Sequence, residues 1–191
     1  KTCPDTGMAG ASRSLYMDGN ATIIAANKLL AAMRKEDGTL RTYDEMKAEG
    51  IETKYLGRYE TNTTPGLCRL DPNTGIGDPT PAFTYCLNLA EVEVDTKTGK
   101  TTVLKFTCVD FVGRIGNIDA VNGQAYSGIM HGIGFALKED YADVKKHANM
   151  FGAGTSYIKD VPDDINLIHI DGAISDGPFG SSGASEAFQA S

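Results

Sequence analysis

The chain has 191 residues and a formal net charge of −7, a balance that argues against nucleic acid and against an anionic membrane surface as partners. Its hydrophobic and charged fractions, 41% and 23%, are ordinary for a soluble globular protein. No apolar run approaches the ~20 residues of a membrane span, and nothing specifies export, so a cytoplasmic protein is expected.

Residues 4–14 form a loop of small and hydroxyl side chains, Pro4-Asp5-Thr6-Gly7-Met8-Ala9-Gly10-Ala11-Ser12-Arg13-Ser14. The spacing of Tyr16, Met17, Ile23, Ile24, Ala25, Leu29, Leu30 and Met33 then predicts a helix over residues 14–34. A glycine, two serines and an arginine opening a helix can cradle an anion on backbone N–H groups, hydroxyls and a guanidinium. The commoner explanation is an ordinary serine N-cap. The loop lacks the lysine and spacing of a P-loop.

Thr42-Tyr43-Asp44-Glu45 fits a capping box opening a short helix to residue 48. Residues 54–61 alternate as a strand would, and residues 62–81, rich in Pro, Gly, Thr and Asp, read as a long irregular loop. Residues 83–94 and 100–111 are β-rich runs joined by Asp95-Thr96-Lys97-Thr98-Gly99, a hairpin with glycine where positive φ is wanted; alternation at 90–95 predicts one wet face.

A helix over 118–137 contains Gly123, Gly128, Gly132 and Gly134. Each glycine costs up to ~1 kcal/mol relative to alanine, so four imply close packing by another helix or a large ligand. Gln124, among them, carries two donors and an acceptor; on sequence alone a solvated helix face is the favoured explanation. Residues 138–150 are charged and exposed, 152–157 flexible, and 166–170 a short strand. Four cysteines (Cys3, Cys68, Cys86, Cys108) contain no Cys-x-x-Cys, and His131, His147 and His169 sit in different elements, so no zinc or iron–sulfur knuckle is expected and the thiols are read as reduced.

The most informative stretch is Gly177-Pro178-Phe179-Gly180-Ser181-Ser182-Gly183-Ala184-Ser185-Glu186, with Ala184 onward reading as the start of a helix. Side-chain-poor backbone lets a bulky ligand come close, and the single carboxylate there, Glu186, is a candidate general base because desolvation raises a carboxyl pKa. An acidic residue favouring a helix dipole is the plainer explanation.

Gly-Pro-Phe-Gly-x-x-Gly-x-x-Glu resembles the active-site loop of the molybdenum hydroxylases, the xanthine oxidase and aldehyde oxidoreductase family. The Pro4–Ser14 stretch resembles that family's pterin-wrapping loop, and residues 121–134, with Gly123-Gln124, resemble its second cofactor helix. Residues 137–148 and 157–164 are most similar to the bacterial aldehyde oxidoreductase branch. The resemblance implies an α+β fold with long glycine-containing helices packed on mixed or antiparallel β-structure. Residues 1–191 would be the C-terminal part of a molybdopterin-binding domain, a piece of a larger chain with two subdomains at about 1–82 and 83–191.

It further implies molybdopterin, as the cytosine dinucleotide, contacted by Gly10, Ala11, Ser12, Arg13, Ser14 and Gln124, with no side-chain ligand to the molybdenum. Glu186 would act as general base in oxidising an aldehyde to a carboxylic acid with water as oxygen source. The 2Fe-2S clusters would lie on other domains, the other half of the molybdenum domain would complete the site, the enzyme would be a homo-oligomer, and the isolated chain would be inactive. Ser185 and Ala187 depart from the family pattern close to the glutamate. The rivals are a xanthine dehydrogenase-type hydroxylase of N-heterocycles and, from another class, a non-catalytic scaffold whose glycines serve only helix packing.

Overall fold

The computed structural model describes residues 4, 10, 12–60, 71, 73–77, 82–173, 175, 177–184 and 187, with the side chain of residue 179 left aside. The expected long loop at 62–81 lies mostly outside the described residues, as do Ala11 and Glu186. The architecture is mixed helix and sheet, the expected α+β class, and the chain divides into two compact units, Lys1–Pro81 and Ala82–Ser191.

In the first unit, α1 spans Ser14–Met33 and α2 spans Tyr43–Ala48. Helix α2 starts as its sequence predicts. The Thr42 side chain accepts from the Glu45 N–H, and the Glu45 carboxylate accepts from the Thr42 N–H at 2.7 Å. Lys35 Nζ adds an ion pair to Glu45 at 2.8 Å. The N-cap of α1 is Arg13, which supplies no side-chain cap, so neither Ser12 nor Ser14 has the N-cap place that the plainer explanation gave them.

The strand expected at 54–61 is not one. Residues 51–60 do alternate between half-buried and exposed, but the segment lies along α1 and pairs with no strand. A methyl at Gly57 would overlap the Ala21 carbonyl oxygen, Lys28 Nζ donates to Leu56 O at 2.8 Å, and Tyr59 meets Tyr16 edge-on at 5.9 Å. Alternation records two unlike faces, and a helix can cover one of them as well as a sheet's partner layer can.

The second unit contains β1 (Tyr85–Val94), β2 (Thr101–Phe111), α3 (Ile118–Leu137), α4 (Met150–Ala153) and β3 (Asp164–His169). Strands β1 and β2 form the expected antiparallel hairpin, with Gly99 at φ +75 and a register shift at Glu91/Val92. Strand β3 adds in parallel to β2, giving the sheet order β1-β2-β3. One face of β2 presents Phe106, Cys108 and Asp110, all at most 1% exposed. Against it packs one stripe of α3, Ala125, Ile129 and Ile133, at i, i+4, i+8 spacing. Each large apolar side chain removed from water here contributes about 1.5–3 kcal/mol.

Three expectations need correcting. Residues 91–94 are exposed on both sides of the strand, since β1 runs past the end of the buried cluster. Residues 152–157 are ordered: α4 is capped by Asn149, Gly154 closes it in the left-handed conformation, and Ala153 and Ser156 are buried. The four glycines of α3 have unlike surroundings. Gly128, Gly132 and Gly134 are buried, and a methyl at Gly134 would lie 2.9 Å from Ser156 Oγ, yet no described atom lies within 4 Å of where a Gly123 Cβ would be.

Candidate functional site

The glycine-rich loop is fastened to the end of β2. Ser182 N donates to Val112 O at 2.9 Å, Ser181 Oγ to Pro178 O at 2.7 Å, and Ser175 Oγ to Ser181 O. Thr84 Oγ1 sits 2.8 Å from Ser182 Oγ and donates to Gly183 O. Gly113 (φ +84) and Gly180 (φ +68) stack backbone on backbone. A methyl on Gly113 would overlap the Gly180 carbonyl oxygen, and one on Gly180 would overlap Ala173, so both positions need glycine twice over. Ser181 and Ser182 are buried with their hydroxyls spent on this loop. Residues 181–184 are irregular, Ala187 N donates to Ala184 O at 3.1 Å, and the rest of the helix expected from Ala184 lies outside the described residues.

Ala184, two residues before Glu186, belongs to the same buried cluster as Ala125, the neighbour of Gln124. The fold thus draws the ends of two expected cofactor segments, some 60 residues apart, into one core. Gln124 itself is exposed on α3, next to the uncrowded Gly123.

The remaining expected residues belong to the first unit. Gly10 and Arg13 are exposed, Ser12 is half-buried, and Ser14 opens α1. Arg13 N donates to Gly10 O at 3.2 Å, which closes a turn, and Ser12 has φ +52, a left-handed value that a non-glycine residue seldom adopts. That strain bends the backbone just where α1 begins.

Taken one by one, the start of α1 fits a phosphate in kind, with small residues, backbone N–H groups and a guanidinium, and the Gly123–Gln124 stretch of α3 fits a pterin ring edge, with an amide beside uncrowded backbone. No group of three or more His, Cys, Asp or Glu suited to a metal exists among the described residues, and no described helix is long and apolar enough to cross a membrane.

One cluster was not visible in the sequence. Asp110 on β2, His169 at the end of β3 and Asn122 on α3 form a chain, with His169 Nδ1 2.6 Å from Asp110 Oδ2 and His169 Nε2 2.7 Å from Asn122 Oδ1. Burial raises the Asp110 pKa above the ordinary carboxylate range, and the His169 ring opposes that rise. Asp110 Oδ1 has no hydrogen-bond partner among the described residues. Cys86 and Cys108, unrelated by spacing, sit with sulfurs 3.4 Å apart, both free; burial pushes both thiols up, which keeps them unreactive.

A groove of about 770 Å³ opens at the hairpin end of the second unit, lined by Lys100, Ile133, Lys138, Asp160 and Asp164. It lies the length of β2, roughly 30 Å, from the glycine-rich loop, so volume alone does not mark this chemistry.

Residues 1–162 match the family described as molybdopterin cofactor-binding domain. The aldehyde oxidoreductase of Megalodesulfovibrio gigas is 42% identical over 185 residues, which is 97% of this chain and 20% of that protein. The xanthine dehydrogenase of Dictyostelium discoideum is 26% identical over 174 residues, 86% of this chain and 13% of that protein. Among solved structures, aldehyde oxidoreductase from Desulfovibrio desulfuricans superposes with a TM-score of 0.87 at 44% identity, covering 98% of this chain and 20% of that one. The chain spans about a fifth of the length of these aldehyde oxidoreductases.

Proposed function

The chain belongs to the molybdopterin cofactor-binding domain family, and from that premise we propose that it forms part of the cofactor site of an enzyme oxidising an aldehyde to a carboxylic acid. The observation that carries this reading is the glycine-rich loop before Glu186, fixed to the end of β2 and sharing a core with the helix that bears Gln124. The higher identity to an aldehyde oxidoreductase than to a xanthine dehydrogenase favours an aldehyde over a heterocycle.

Molybdopterin, when bound, supplies the metal that takes up the two electrons of the oxidation. The chain's own residues do the rest. Backbone N–H groups of Gly10, Ala11, Ser12 and Ser14, with the Arg13 guanidinium, hold phosphate; as a planar fork, the guanidinium also orients it. The Gln124 amide hydrogen-bonds the pterin edge, and the exposed backbone at Gly123 lets the ring system approach α3. Glu186 accepts a proton from the water-derived oxygen as it attacks the substrate carbonyl. The cytosine dinucleotide form, the 2Fe-2S clusters and the other half of the site belong to the same proposal, carried by the four fifths of the relatives' length that this chain does not span.

Two measurements on the full-length parent protein test it. Stoichiometric molybdenum supports an enzyme, and its absence from fully matured protein supports the scaffold alternative. Glu186→Gln should retain the cofactor while lowering turnover of an aldehyde by about 10²–10⁴-fold. Turnover near the parent's removes Glu186 from the mechanism, and preferential oxidation of a purine moves the substrate to the heterocycle class.

A further inference from the structure

We propose that His169 and Asp110 are positioning residues for Gln124, acting through Asn122. The inference rests on the cofactor role proposed for Gln124 and adds the device that aims it.

The device starts in the sheet. Asp110 and His169 are direct partners in the parallel β2–β3 ladder, and Ile170 N donates to Asp110 O at 2.8 Å, so the backbone brings the two side chains together. The Asp110 side chain is fully buried and that of His169 is 12% exposed. Both ring nitrogens of His169 are engaged, one by the carboxylate at 2.6 Å and the other by the Asn122 amide at 2.7 Å. The ring therefore cannot rotate without losing both bonds.

Asn122 lies in the second turn of α3. At about 100° per residue, Asn122 falls on the same stripe as Ala125 and Ile129, facing the sheet, and Gln124 points about 200° away. Gln124 is accordingly exposed while Ala125 and Ile129 are fully buried.

Packing alone specifies this rotation weakly. The first fully buried residue of α3 is an alanine, preceded by a half-buried Val121, and Gly128 and Gly132 offer no side chains for interdigitation. Apolar contact, that of Ile129 and Ile133 included, is non-directional, whereas a hydrogen bond at 2.7 Å is directional and sets the phase of the helix at its N-terminal end. The N-cap of α3, Asn117, is exposed, and the Asn122 amide is tied to His169 at the end of β3. Holding the sheet-facing residue still fixes where the opposite residue points.

The test is a double-mutant cycle in the cofactor-loaded, full-length enzyme, read as the rate of molybdenum and pterin loss on dialysis. Asn122→Ala should lose the cofactor about tenfold faster than the parent, the usual scale for removing a group that orients a ligand-holding residue. In a Gln124→Ala background the same change should add nothing, because its effect passes through Gln124. His169→Gln, which still offers a donor to Asp110, reads the chain from its other end and should show the same non-additivity.

A further tenfold loss in the Gln124→Ala background overturns the proposal, since a merely structural role adds to the loss of Gln124. Parental retention in both Asn122→Ala and His169→Gln also overturns it, while leaving the role of Gln124 intact. Parental retention in Gln124→Ala removes the cofactor reading of that residue and this inference together.

Discussion

Gly180 of the 177–184 loop, with Gly113 packed on it just after β2, and the glycine in the second turn of α3 stand in opposite circumstances. Gly113 and Gly180 have positive φ and pack so tightly that any Cβ would overlap backbone or Ala173. Their identity is explained within this chain. Gly123 has ordinary helical backbone and nothing within 4 Å of its missing side chain, so the described residues give no reason for it. Where the fold accounts for a glycine, the glycine is structure; at Gly123 the open space leaves room for the close approach proposed above.

The largest expected effect breaks the first half of that contrast. Gly180→Ala adds a side chain into Ala173 at a backbone angle that disfavours it, and should destabilise the second unit by about 2–4 kcal/mol in denaturant unfolding. A loss below 0.5 kcal/mol would mean that the loop is free to shift and is not a rigid platform for Glu186.

Thr42→Ala carries the contrast to helix starts. Helix α2 satisfies its own N-terminus through the capping box, so losing the Thr42 hydroxyl should cost about 1 kcal/mol and show as a lower melting temperature. Arg13→Ala, at an N-cap that contributes no side-chain cap, should leave stability within about 0.5 kcal/mol.

Gly123→Ala sharpens the second half. In the cofactor-free chain it should stabilise α3 by about 0.5–1 kcal/mol, since alanine is the better helix former and nothing described obstructs it. In the full-length enzyme the same methyl should lower molybdenum content. A variant that is more stable and fully loaded would show that Gly123 serves no close approach.

The smallest effect is a pH dependence. The hydrogen bond from Lys35 and the Thr42 backbone N–H hold the Glu45 carboxyl down at about 2. A depressed carboxyl contributes stability that is fully present above its unfolded value of about 4.5. That contribution is lost as pH falls from there through about 2. Helix α2 should therefore loosen only in that acid window, and carbon NMR titration of the Glu45 carboxyl checks it.

Much of the fold was legible because its signals are local. The apolar spacing of α1, the capping box of α2, the 95–99 turn and the Asn117 start of α3 each place their information within a few residues. The family was legible as a set of motifs, and the family comparison agrees with it. The strand expected at 54–61 shows the limit, because alternation does not say which kind of element covers the buried face.

By itself, then, the sequence determined helices α1, α2 and α3, the hairpin, the glycine-rich loop and the family, all of which depend on neighbours along the chain. Tertiary structure alone decided that Asp110, His169 and Asn122 meet across 59 and 47 residues, that Cys86 and Cys108 face each other across a strand pair, and that Gly57 lies on α1. The reason is physical: a hydrogen bond or contact between distant residues leaves no periodic trace in either segment, and it exists only once the sheet register and the helix phase have been set.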